Sequence, residues 1–287
     1  MLRVASKAWQ VGRGGRVAEW AARLDRAVAE AAGEGARLLV LPEYAPLEAA
    51  VGDRPDIAAE LHRAVAHAPE ALAAAVAAAQ RHGVWLLPGT MPFRAGERII
   101  NRAPLIAPDG RVAFQDKHVT TRFEAEEWGI APGAPPSVFA TDFGLIGIAI
   151  CFDVEFPHLV RAQVEAGAWL ILAPACTDTA AGCHRIRLAA AARAMENQCY
   201  VVVAPTVGAA PWSGALDLNH GAAAMLGPID RGFPDDGVLA EGPLNACGWV
   251  YADLDPARLA CVRDQGAVRN HRAWPPPPPP CPVRTPA

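Results

Sequence analysis

No apolar run in the 287-residue sequence approaches the ~18 residues needed to span a membrane. The N-terminus, MLRVASKAWQ, mixes charged and polar residues into its apolar ones and lacks the core segment of a secretory signal. A cytoplasmic protein with no membrane partner is expected. No dense lysine or arginine run occurs and the formal net charge is -4, so nucleic acid is not expected as a partner. The seven cysteines are odd in number and include no CxxC pair, which signals neither a disulfide framework nor a zinc knuckle. GRGG at 12–15 lacks the Lys-Ser/Thr of a phosphate-binding loop and reads as an ordinary loop. No metal and no cofactor are expected.

Hydrophobic residues make up 52% of the chain, though much of this is alanine, and charged residues make up 20%, ample for a solvated surface. The length fits one α/β domain. Strands are expected at 2–9, at 38–41 before Pro42, in VWLLPGT, at 144–150, in WLILAPA, in CYVVVAPT and in GWVYADL. Helices are expected at 16–32, stopped by Gly33 and Gly35, and at 55–82, 158–166 and 184–197. RAPLIAPDGRVAFQDK reads as a hairpin around Pro108-Asp109-Gly110. Asp255-Pro256 is a cap and first-turn pair for a short last helix. The turn-rich stretch 218–243 has a strand at its start and no assigned role.

An internal echo links the halves. GEGARLLVLPEY resembles VEAGAWLILAPAC, and AAAQRHGVWLLPGT resembles ARAMENQCYVVVAPT. Each is a helix end, a short apolar strand and a proline, which suggests two matched layers with helices outside. A domain over 1–274 is expected, followed at 275–287 by a proline-rich tail that joins neither sheet nor helix and favours an exposed polyproline rod.

Three residues stand where strands end. GIAICFDVEFP delivers Cys151 at the carboxyl end of an apolar strand, just before a helix, where a nucleophile is exposed and backbone N–H groups converge. Glu43 follows LLVLP, and Lys117 follows the hairpin strand RVAFQD. Ligand sites in α/β sheets collect at such ends. A histidine base is the usual partner of a cysteine nucleophile, but nothing in the spacing selects among His118, His158 and His184.

The segments LLVLPEY, QDKHVTTRFEAEEWGIAPG, GIAICFDVEFP and ARAMENQCYVVVAPT, in this order, resemble the nitrilase superfamily of carbon–nitrogen hydrolases, amidase-like branch. The resemblance implies an α/β fold, an αββα sandwich of two mixed sheets packed face to face with helices outside. It also implies a catalytic triad of Glu43, Lys117 and Cys151. Many relatives carry a second glutamate after the lysine. Among Glu124, Glu126 and Glu127, spacing favours Glu126, with Glu124 close behind. The resemblance further implies a homodimer or higher homo-oligomer.

The expected reaction is hydrolysis of a small amide or ω-amide through a thioester on Cys151. Glu43 serves as base and then acid, while Lys117 and the Phe152 N–H receive the oxyanion. Glu124, Trp128, Phe123 and Cys176, the last within PACTD, are expected around the substrate, and Asp153 is expected to brace the turn after Cys151. The same triad serves nitrilases, N-carbamoyl hydrolases and acyltransferases, so a nitrile is an alternative substrate. Other readings are a silent scaffold that binds partners through its surface or tail, and a thiol redox protein with Cys176 or Cys199 as second thiol.

Overall fold

The computed structural model describes residues 1–52, 55–276, 279 and 281. Most of the expected tail therefore lies outside the described residues. The first sheet holds β1 (Leu2–Gln10), β2 (Leu38–Val40), β3 (Trp85–Leu87), β4 (Met91–Ala95), β5 (Arg98–Ile106), β6 (Val112–Asp116) and β7 (Ile130–Ala131). The second is built from β8 (Val138–Thr141), β9 (Gly144–Ile148), β10 (Leu170–Ala175), β11 (Tyr200–Ala209), β12 (Leu218–Asn219), β13 (Ala224–Leu226) and β14 (Val238–Glu241). The last strand, β15 (Gly248–Leu254), returns to the first sheet and runs antiparallel to β1. The helices are α1 (Val17–Gly33), α2 (Ile57–His82), α3 (Arg122–Glu126), α4 (Pro157–Glu165), α5 (Ala180–Asn197) and α6 (Pro256–Gln265).

The echo between the halves is a topological repeat. β1-α1-β2-α2-β3 sets three neighbouring strands parallel, and β9-α4-β10-α5-β11 does the same. Strand alternation then sorts the side chains into layers. Val4, Leu38, Val40 and Leu87 share a core with Ile148, Leu170, Leu172 and Val202 of the facing sheet. One residue along, Ala5, Leu39 and Leu86 pack with Trp20 and Leu24 of α1 and with Ala71 and Ala75 of α2. On the far side, Val160 and Val164 of α4 and Ala190 and Ala194 of α5 complete the core. The result is the expected αββα sandwich. Its sheets join at one corner, where β1 meets β11 through the pairs Trp9–Thr206 and Gln10–Val207.

Differences from expectation are local. β4, β7, β8 and α3 are too short to show a period. The helix expected from His184 begins at Ala180, because the Thr179 side chain accepts from the Gly182 N–H and caps an earlier turn. The strand expected to reach Ile150 ends at Ile148. Stretch 218–243 contains β12, β13 and β14. Asp255 caps α6 as expected, accepting from the Ala257 N–H at 2.9 Å, with Pro256 in the first turn. Among the described residues no helix is long and apolar enough to cross a membrane.

Candidate active site

The carboxyl ends of β2, β6 and β9 open into one cavity of about 450 Å³. Glu43 sits three residues past β2. The turn that carries it is closed by Gly89, whose φ is +102° and whose missing Cβ would fall 2.3 Å from the Pro42 carbonyl oxygen. Any side chain there displaces the Glu43 loop. Lys117 follows β6 directly, its N–H donating to the Asn101 carbonyl (2.8 Å) and its own carbonyl accepting from the Gly133 N–H (2.8 Å). Cys151 opens a single 3₁₀ turn after β9, with φ at +47°. That left-handed backbone costs a non-glycine residue about 1–3 kcal/mol and turns the thiol into the cavity.

Lys117 lies between two buried carboxylates. Its Nζ is 2.8 Å from Glu43 Oε1 and 2.7 Å from Glu124 Oε2. The second glutamate on the lysine is thus Glu124, and the preference for Glu126 is corrected. Two residues along a helix turn through roughly 200°, so the two glutamates of α3 face opposite ways. Glu124 is buried and closes a capping box with Thr121. Glu126 points outward and pairs with Arg122 at 2.7 Å, and Glu127 is also exposed.

Further partners fix this arrangement. The Asn101 amide, on β5, donates to Glu43 Oε1 at 2.8 Å and to Glu124 Oε1 at 3.2 Å. The Tyr44 hydroxyl donates to Glu124 Oε1 at 2.5 Å. The Thr121 N–H and hydroxyl donate to Glu124 Oε2 at 2.8 and 3.0 Å. Asn101 and Tyr44 were not anticipated. A fully buried asparagine inside IINRAPLI was the available signal, since a polar residue there needs a partner.

The charges follow from burial. Burial, with Glu124 nearby, pushes the Glu43 carboxyl up to about 7 despite the pull of Lys117. Burial also works on Glu124, but the ammonium and the donated hydrogen bonds win and hold it below the usual carboxylate range. Burial opposes the charge on Lys117, and the two carboxylates overcome it, so the lysine stays charged. The Cys151 thiol is pushed well up, first by burial and then by the charge of Glu43. The resting nucleophile is therefore a thiol beside a carboxylate that titrates near neutrality, not a free thiolate.

Phe152, Glu124, Trp128, Cys176 and Phe123 all line the cavity. Trp128 stacks edge-on against Tyr44, centroids 5.0 Å apart, and 5.4 Å from Phe123. The carbonyl of Cys176 lies 3.5 Å from Cys151 Sγ, while its own thiol, raised to about 12 by burial, faces Asn219. His118, His158 and His184 are not among the lining residues. Asp153 braces a different segment from the one expected. Its carboxylate accepts the N–H groups of His118 (3.1 Å) and Val119 (2.8 Å), tying the Cys151 turn to the loop after Lys117. Among the described residues no cluster of His, Cys, Asp and Glu has the arrangement of a metal site.

Comparison with known proteins places this chain in a family. Residues 9–264 match the family model described as carbon-nitrogen hydrolase. A probable hydrolase of Bacillus subtilis is 36% identical over 67% of this chain, a match that spans 37% of that longer protein's length. An omega-amidase of Danio rerio is 26% identical, with 87% of each chain covered. A variant of the amidase from Nesterenkonia sp., in complex with butyramide, superposes with a TM-score of 0.72 at 25% identity, covering 95% of this chain and 97% of that one. The chain belongs to the carbon–nitrogen hydrolase family of the nitrilase superfamily.

Proposed function

We propose that this protein is a cysteine-dependent amidase acting on a small non-peptide amide or ω-amide. The observation that carries the reading is the convergence of Cys151, Glu43 and Lys117 at the floor of one cavity. The names of its relatives, an omega-amidase among them, support the amide as substrate class.

In the first half-reaction Glu43 takes the Cys151 proton as sulfur attacks the amide carbon. Raised to about 7, Glu43 serves both as acceptor and, once protonated, as donor. Oxyanion charge develops within reach of the Lys117 ammonium and the Phe152 N–H, which belongs to the residue after the nucleophile. Glu43 passes its proton to the leaving nitrogen, and ammonia or an amine departs. A thioester remains on Cys151. Glu43 then removes a proton from water as the water attacks the thioester, and the acid leaves with Cys151 restored as the thiol. Glu124 holds Lys117 in place throughout and keeps its charge. Trp128, Phe123, Phe152 and Cys176 are proposed to shape the substrate's binding space.

A cytoplasmic location and homo-oligomeric assembly belong to the same reading. The first is supported by seven cysteines that are all free. The second is supported by Leu188 on α5, a large apolar side chain that is 70% exposed.

The test is release of ammonia from a panel of aliphatic amides, ω-amides, N-carbamoyl amino acids and nitriles, with Cys151→Ala alongside. Release from an amide that disappears in Cys151→Ala is the expected result. Release that survives the substitution, or that comes from nitriles alone, overturns it.

A further inference from the structure

A second polar cavity, of about 210 Å³, lies away from the triad on the α1 side of the first sheet, lined by Lys7, Trp9, Arg23, Arg26, Glu30 and Cys247 among others. The ladder brings these groups together. Lys7 pairs with Trp249 and Ala8 with Gly248, so Cys247 continues β15 opposite Trp9, on the face that carries Lys7.

Lys7 gives the cavity its character. The residue is only 8% exposed, and its ammonium makes no hydrogen bond among the described residues. The nearest carboxylate oxygen, on Glu30, is 3.9 Å away, and the Trp249 ring centroid is 4.9 Å away. Arg23 lies 4.5 Å over the Trp9 ring and spends its charge on the buried carboxylate of Glu48. Arg26 has no ion-pair partner among the described residues, so with Glu30 and Glu48 counted one net positive charge remains at the mouth. Cys247 is exposed beside it. A thiol flanked by an ammonium whose carboxylate neighbour is 3.9 Å away and by a guanidinium without an ion-pair partner among the described residues suits a reagent that is both anionic and thiol-reactive.

We infer that Cys247 is a modification site that forms a mixed disulfide with low-molecular-weight disulfides carrying carboxylates, the cationic cavity holding the carboxylate end. The Cys247 thiol gives its proton to solvent, and its sulfur attacks one sulfur of the incoming disulfide. That S–S bond breaks as the new one forms. The other half leaves as a thiolate with the electron pair. The incoming disulfide is the oxidant, and the reaction does not involve Cys151.

The test uses the intact protein, two anionic disulfides (oxidised glutathione and dithiobis-nitrobenzoate) and the neutral bis(hydroxyethyl) disulfide, with sites assigned by peptide mass mapping. Cys261, an exposed thiol elsewhere, is the internal reference. Cys247 is expected to favour the anionic reagents over the neutral one by about tenfold more than Cys261 does, an advantage that shrinks at high salt. Lys7→Gln should erase the preference. Arg26→Gln, at an exposed position and so free of folding risk, should reduce it. Equal reagent preference at Cys247 and Cys261, or a preference unmoved by salt and by Arg26→Gln, overturns the inference.

Discussion

The Asp153 carboxylate accepts the Val119 N–H at 2.8 Å, joining the turn that carries the nucleophile to the loop that follows Lys117. The two segments come from different sheets, so this carboxylate sets the distance between thiol and ammonium. Asp153→Ala leaves two backbone N–H groups without their acceptor, at about 1–3 kcal/mol. A lower melting temperature and a fall of at least about tenfold in kcat are expected. Asp153→Asn keeps only one of the two acceptor oxygens and turns its NH2 toward the other N–H, so it should recover only a small part of the stability.

The two glutamates of α3 separate cleanly by mutation. Glu124→Gln removes a charge that Lys117 touches at 2.7 Å and is expected to lower kcat by about 10²–10³-fold. Glu126→Gln breaks only an exposed pair with Arg122 and should leave kcat within about twofold. Steady-state kinetics on the two variants with one amide decides the matter. A larger effect at Glu126 contradicts the assignment.

The pH dependence follows from Glu43. As the base it must be ionised in the free enzyme, so kcat/KM should rise as pH passes about 7. Stability should move the other way. The folded value lies above the ordinary carboxylate value of 4.5, so the folded state binds this proton more tightly than the unfolded chain. The resulting stability is present below about pH 4.5 and is lost as pH rises through about 7. Glu43→Gln should abolish activity while its melting temperature gains on the native protein between about pH 5 and about pH 8. A constant difference across that range rules out titration of Glu43 there.

Glu60 of α2 reaches the cavity indirectly. Its buried carboxylate accepts from the Ser213 hydroxyl (2.8 Å) and the Gly214 N–H (2.7 Å), and so holds the segment whose next residues line the cavity as far as Asn219. Glu60→Ala is expected to raise KM more than it lowers kcat, since it loosens a wall and leaves the triad in place. Glu60→Gln, which keeps an acceptor oxygen, should restore part of the affinity. The ratio of the two effects, measured with one amide, is the readout.

What the sequence disclosed and what it hid divide along physical lines. The parallel strands of the repeat are short and apolar on both faces, and each ends at a proline or a polar residue, so their ends and with them Glu43 and Cys151 could be marked. Lys117 was marked by the hairpin before it. Glu124 was misjudged against Glu126 because α3 has only five residues, too few to show a face in the pattern. Asn101 escaped because its importance depends on β5 lying one strand away from β2 in the sheet, with β3 between them, which local pattern does not record. The partners of Asp153 are hidden for the same reason: they lie more than thirty positions away in the chain, in the loop after Lys117 and not in its own turn.

β1 has a neighbour that arrives last. Residues 2–8 pair along their length with residues 248–254. During synthesis β1 can align with β2 early, but its other edge stays bare until β15 has emerged. An open strand edge of this length is a template for another chain's strand. The nascent protein thus has a long interval of exposure to intermolecular pairing, and its sheet is completed by a contact of very high sequence separation, which slows folding. Truncation before Gly248 would make that interval permanent.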